Sequence, residues 1–232
     1  MRNASSRLVP RLLRPGWPDE ARRVVQEPVF RAAAAEGPPH GRCLNAGAGE
    51  GLYCGFLESF AETTEIVNVD LTLPDISRRR PDPRHTDALG SITDLPLEDS
   101  SIDWILCTEV IEHVEDDHAA AGELGRVLKS GGFALISVPT PPAPHDPAHV
   151  REGYSLESLR ELLAAGGFEV GWHRYCFHLF MRWLGAVWRW QHDRLGRRRN
   201  LMPRLAVLAF GYADRWMPIG AHWDLVILAR KR

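Results

Sequence analysis

Lysine is almost missing from this chain: of its 28 basic residues only Lys129 and Lys231 are lysine. Arginine supplies the rest, a bias that fits genomic base composition better than phosphate recognition. The formal net charge is −2, whereas a nucleic-acid binder needs a strongly basic domain, so nucleic acid is not an expected partner. Cysteine is scarce too. Cys43, Cys54, Cys107 and Cys176 show no C-x-x-C spacing and fall at or near apolar strands and an early helix, so they read as buried free thiols of a reducing compartment. No stretch reaches the roughly 18 uncharged apolar residues of a membrane span. Arg2, Arg7, Arg11 and Arg14 are not followed by an apolar run of signal-peptide length. The expectation is a cytoplasmic protein.

A chain of 232 residues with 44% hydrophobic content can bury one large α/β core with an insertion. Its most informative stretch is LNAGAGEG, residues 44–51, a glycine-spaced turn that closes an apolar strand (42–46) and is expected to open a helix from about Glu50. Gly47, Gly49 and Gly51 let the backbone turn sharply and present bare N–H groups to a ligand. The run EIVNVD (65–70) then reads as a strand ending in a carboxylate, which offers two oxygens to the two donors of a ribose diol. Apolar runs at 102–107 and 132–138 predict buried strands, with a short one near 84–88 and helices at 117–129 and 156–165, the latter capped by Ser155 and ended by Gly166 and Gly167. FEVGWHRYC and HWDLVILARK (222–231) give two more strands. Such alternation predicts a mostly parallel sheet with helices on both faces. Upstream, residues 19–36 have helix-forming composition with Asp19 as the expected cap and Pro28 as an expected kink.

In this order the pieces resemble the class I S-adenosylmethionine-dependent methyltransferases, in particular the broad group of quinone-biosynthesis and small-molecule enzymes. The resemblance rests on NAGAGEG, NVD, SITDLPLEDSSIDWILCTEVIEHV and RVLKSGGFALISVP, and covers roughly residues 40–170. It implies a Rossmann-like, seven-stranded, mostly parallel sheet with a helical insertion before the last strand, and S-adenosylmethionine as cofactor. It further implies that Asn45, Ala46, Gly47, Gly49 and Gly51 hold the amino-acid end of the cofactor, Asp70 its ribose, and Leu71 its adenine. Ser91 stands where relatives often place an acid near the adenine amino group, with Ile92 offering its backbone N–H. Asn45 likewise stands where many carry Asp or Glu. Thr108 and His113, after the fourth strand, complete the cofactor side, and the recurrence of the Glu112-His113-Val114 segment in the family favours an architectural role for His113 over a catalytic one. Residues 1–40 are expected to be a helical segment or lid, and 41–232 the methyltransferase domain with an insertion at about 177–220.

Candidate chemistry beyond the cofactor is sparser. His145 and His149 lie in PTPPAPHDPAHVREGY, where methyltransferases commonly line the acceptor pocket, and either could take a hydroxyl proton near neutral pH. The plainer reading is a proline-rich surface loop. A metal site from this pair and Asp146 is not expected, since a four-residue spacing on a proline-broken loop does not ensure convergence. Residues 171–232 carry 12 Lys or Arg against 3 Asp, and within them FHLFMRWLGAVWRWQH reads as an apolar helix with one narrow polar stripe. Its tryptophans fit lid or core packing, a homodimer interface, or contact with a membrane surface or lipid-like substrate. The functional expectation is methyl transfer to a small or amphipathic acceptor, at oxygen. A cofactor-binding but inactive scaffold and a nicotinamide-dependent reductase are the alternatives.

Overall fold

The computed structural model describes residues 15–72, 82–143, 148–195 and 201–232. Seven strands form one sheet: β1 (Gly41–Ala46), β2 (Thr63–Asp70), β3 (His85–Leu89), β4 (Ile102–Thr108), β5 (Leu128–Pro139), β6 (Phe168–Cys176) and β7 (Asp224–Lys231), in the order β3-β2-β1-β4-β5-β7-β6. Strands β1 to β5 pair in parallel and β7 runs antiparallel to β5. The near-continuous apolar run of β4 follows from burial on both faces. Leu44, Ala46, Ile105, Cys107, Ala134 and Ile136 face a core that includes Leu124 of helix α3 (Asp117–Val127) and Leu159 of α4 (Leu156–Ala165). On the opposite face Trp104 is fully buried, and its indole N–H donates to the Gly37 carbonyl at 2.9 Å.

The chain divides into two compact units, one combining the stretch that ends at Pro28 with Cys176–His222, the other comprising Val29–Tyr175 and Trp223–Arg232. The second contains the sheet. The first contains α5 (Leu179–Leu195) and α6 (Arg204–Trp216), which pack together. Buried Asp214 of α6 accepts the backbone N–H groups of His178 (2.9 Å) and Met181 (3.0 Å), so the donors at the start of α5 are satisfied by a carboxylate from the neighbouring helix. Gly211 is smooth enough for α6 to approach the backbone of Ala21, and Arg204 pairs with Glu20 at 2.6 Å.

Several expected boundaries move. Helix α1 (Pro18–Ala34) starts on Pro18, whose missing N–H is harmless in a first turn, rather than behind a cap at Asp19. Pro28 sits inside α1 without splitting it, with Val29, Phe30 and Ala33 beyond it buried. The helix after the glycine turn is only α2 (Cys54–Glu58), beginning later than Glu50 and with no side-chain cap. Helix α3 ends at Val127, and β5 starts at Leu128. Ser155 does cap α4, accepting from Ser158 N–H at 3.1 Å.

Candidate cofactor and acceptor site

At the carboxyl end of β1 the chain turns back over β2. Gly47 N–H and Ala48 N–H both reach the Val69 carbonyl, at 2.8 and 3.1 Å. Gly47, Gly49 and Gly51 all have positive φ (67°, 50° and 76°), a conformation that penalises a side chain. Two of them have opposite surroundings. A Cβ on Gly47 would run into Val110, whereas one on Gly49 would meet nothing within 4 Å. The turn is therefore packed from below at Gly47 and open at Gly49.

Asp70, the last residue of β2, faces this opening. Its carboxylate accepts the Gly49 N–H at 2.8 Å and the Thr72 N–H at 3.1 Å, which leaves oxygen lone pairs for further donors. Beside it, Leu71 is 73% exposed and Leu89, the register partner of Asp70, is 62% exposed. An open glycine turn, a carboxylate and two uncovered aliphatic side chains thus share one sheet edge. The carboxylate suits a ribose diol and the aliphatic side chains an adenine ring, so the residues present fit those parts of S-adenosylmethionine.

Ser91 and Ile92 lie in the turn after β3. The Ser91 hydroxyl contacts Thr93 Oγ1 at 2.8 Å and accepts Thr93 N–H at 3.2 Å, and the Ile92 side chain joins the core. Ala46 is buried at the end of β1, and Thr108 ends β4 half-buried. Asn45 is elsewhere. Only 4% exposed, its amide donates to Asn68 Oδ1 (3.0 Å) and Cys54 Sγ (3.3 Å) beneath the turn. Asn68 in turn spends its two N–H donors on Asp87 Oδ1 (2.9 Å) and His85 Nδ1 (3.0 Å), and His85 Nε2 reaches Glu58 at 3.0 Å. Asn45 thus ties the start of α2 to the sheet. Sequence reasoning missed this ladder, although asparagine in two adjacent apolar strands was a signal for it.

After β4 the chain forms a one-turn 3-10 helix, Ile111–His113. Glu112 is fully buried, His113 Nε2 lies 3.9 Å from its carboxylate, and His113 Nδ1 is 2.9 Å from the Ala148 carbonyl. The His149 ring sits 4.7 Å from that of His113, edge to face, so this loop histidine is brought to the β4 edge. Ser137 donates to Glu109 at 2.9 Å close by. His145 and Asp146 lie outside the described residues. All four cysteines are buried; burial pushes the Cys43 thiol up to about 12 and raises Cys107 further, with the Glu112 and Glu109 charges adding to it, so neither is a nucleophile.

Residues 44–136 match the family model described as a methyltransferase domain. That segment contains the glycine turn, Asp70 and the Glu112-His113 pair. The segment is similar to the class I S-adenosylmethionine-dependent methyltransferase domains. Over 137 residues the chain is 36% identical to a Mycolicibacterium smegmatis protein named "Probable S-adenosylmethionine-dependent methyltransferase", covering 55% of this chain and 51% of that one. Over 119 residues it is 30% identical to a malonyl-[acyl-carrier protein] O-methyltransferase of Methylococcus capsulatus, covering 50% and 43%. The chain therefore spans about half the length of the curated relatives it matches. Among solved structures it resembles the [4+2]-cyclase SpnF, with a TM-score of 0.60 at 20% identity over 88% of this chain and 81% of that one. This last likeness concerns the fold alone.

Proposed function

We propose that this methyltransferase moves the methyl group of S-adenosylmethionine to an oxygen of a small or amphipathic acceptor, in the cytoplasm. The observation that carries the reading is the Asp70 carboxylate facing an open glycine turn with Leu71 and Leu89 uncovered beside it. Bound there, S-adenosylmethionine supplies a methyl already activated on a positively charged sulfur. The chain's task is alignment and exclusion of water. Asp70 holds the ribose hydroxyls, the open side of the glycine turn at Gly49 receives the amino-acid end, and Leu71 covers one adenine face. Ser91 and Ile92 close the adenine edge, while Thr108 and His113 flank the sulfur side. The oxygen acceptor is supported by the named O-methyltransferase relative and by a histidine, His149, at the same sheet edge, where an imidazole can remove a hydroxyl proton. Calorimetric titration with S-adenosylmethionine and S-adenosylhomocysteine tests the reading. Absence of binding to folded protein overturns it.

Exposed apolar stripes on both insertion helices favour an amphipathic acceptor and a peripheral membrane contact. On α5, Trp183 (55% exposed), Val187 and Trp190 (60%) recur at helical spacing; on α6, Leu205, Tyr212 and Trp216 (72%) do the same. Arg182, Arg189, Arg194 and Arg215 flank them, the charge that suits an anionic lipid surface. No helix among the described residues is long and apolar enough to cross a membrane. A homodimer through the same stripes is distinguished by light scattering, which then gives twice the 26.1 kDa chain mass.

A further inference from the structure

Among the described residues two groups of side chains bring three metal-ligating atoms within 4.8 Å of one another: Glu58, Asp82 and His85, and Glu112, His113 and His149. The first is already neutralised from within. Arg84 holds Asp82 at 2.7 Å and lowers its carboxyl to about 2, while His85 is hydrogen-bonded at both ring nitrogens. The second lies on the β4 edge. Glu112 is a carboxylate taken completely out of water, which favours nearby positive charge. His113 Nε2 stands 3.9 Å from it, too far for a hydrogen bond, yet two ligand atoms that far apart can each reach one ion at about 2.1 Å.

The ring of His113 is also pre-set. Its Nδ1 is 2.9 Å from the Ala148 carbonyl, so Nδ1 carries a proton, and Nε2, 3.9 Å from the Glu112 carboxylate, is the nitrogen left to act as a ligand. A backbone carbonyl on the far nitrogen is the usual support of a metal-bound imidazole. The same loop delivers His149, and the Val150 N–H anchors that loop to the Glu112 carbonyl oxygen at 3.0 Å. His149 is thus brought to Glu112 and His113 on the β4 edge. With the His113 side chain 38% exposed, a fourth position opens to solvent, the arrangement of a catalytic rather than a structural metal site.

We propose that Glu112, His113 and His149 bind one divalent cation of the borderline class, such as zinc or cobalt. Two imidazoles and one carboxylate suit these ions better than magnesium or calcium, which favour all-oxygen sites. An ion there would polarise an oxygen ligand on its open side, and His149 would then serve as ligand instead of proton acceptor.

Titration of the chelator-treated full chain with Co²⁺, followed by visible d–d absorption and by metal analysis, tests the site. One Co²⁺ per chain is expected, competed off by Zn²⁺, with affinity lowered at least tenfold in His149→Ala and in Glu112→Gln and unchanged in His173→Ala, an exposed histidine on β6. His149→Ala is the primary variant because it removes a half-exposed loop side chain, and its melting temperature and S-adenosylhomocysteine binding report on the fold separately. No visible band, or the same titration in His149→Ala as in the unmodified chain, overturns the proposal and leaves the cofactor reading untouched.

Discussion

At the scale of single residues, the three glycines of the turn have separable tasks. A methyl at position 49 suffers only the left-handed backbone, about 1–2 kcal/mol, and projects into the space proposed for the cofactor. Gly49→Ala is therefore expected to melt within a few degrees of the parent yet to lose S-adenosylhomocysteine binding in a calorimeter. Gly47→Ala adds a collision with Val110, and a loss of about 2–5 kcal/mol is expected in a urea melt. Equal loss of stability in the two variants would show that the open side of the turn is not a ligand face. Asp70→Ala leaves a ribose diol without its acceptor, so cofactor affinity should fall by about 1–3 kcal/mol, roughly 5- to 150-fold. An unaltered dissociation constant removes Asp70 from the site. Asn45→Ala is expected to do the reverse, costing about 1–3 kcal/mol of stability through the lost hydrogen bonds to Asn68 and Cys54 while cofactor affinity stays within twofold.

Elements in this protein are joined by side chains that reach across long stretches of sequence. Arg126 of α3 pairs with Glu123 at 2.7 Å and with Asp99, and donates to the Leu95 and Leu97 carbonyls, which fastens the segment before β4 to the helix. The guanidinium holds the Glu123 carboxyl below its ordinary value of 4.5. A folded value depressed below the unfolded one means the stabilisation is complete above about pH 4.5 and disappears as pH falls through the lower folded value. The difference in melting temperature between the parent and Glu123→Gln should accordingly shrink from pH 6 toward pH 3; a constant difference would assign it to packing. Asp214 plays the corresponding part between α5 and α6. Ser155 was recognisable as a cap because its acceptor lies three residues ahead of the N–H that it receives, whereas Asp214 serves N–H groups 33 and 36 positions away, and no local spacing announces that. The same distance rule explains Asn45, whose neighbour in β1 sequence is a glycine turn but whose neighbours in space are Asn68 and Cys54.

For the molecule as a whole, what was legible were the features that repeat along the chain: apolar runs for β1, β2, β4 and β5, the glycine turn, and the two closing strands with a helical insertion between them. The convergence of His149 on Glu112 was not legible, because it depends on where the β5 and β4 edges end together. Nor does periodicity alone say which face of α5 is covered. In the folded chain Met181 and Leu184 are buried, while Trp183, Val187 and Trp190 are open to solvent beside Arg182 and Arg189. The face of α5 open to solvent is largely aromatic. Partition onto vesicles of phosphatidylglycerol is then expected to exceed partition onto phosphatidylcholine, with a blue shift of tryptophan emission as the indoles leave water. Trp183→Ser combined with Trp190→Ser should lower that partition by about tenfold or more, each indole contributing on the order of a kilocalorie through its buried apolar area. Such a variant should keep its cofactor affinity, since the turn and Asp70 belong to the other compact unit. Equal binding to both lipids would strip the arginines of their part, and undiminished binding by the double variant would place the contact on some other surface.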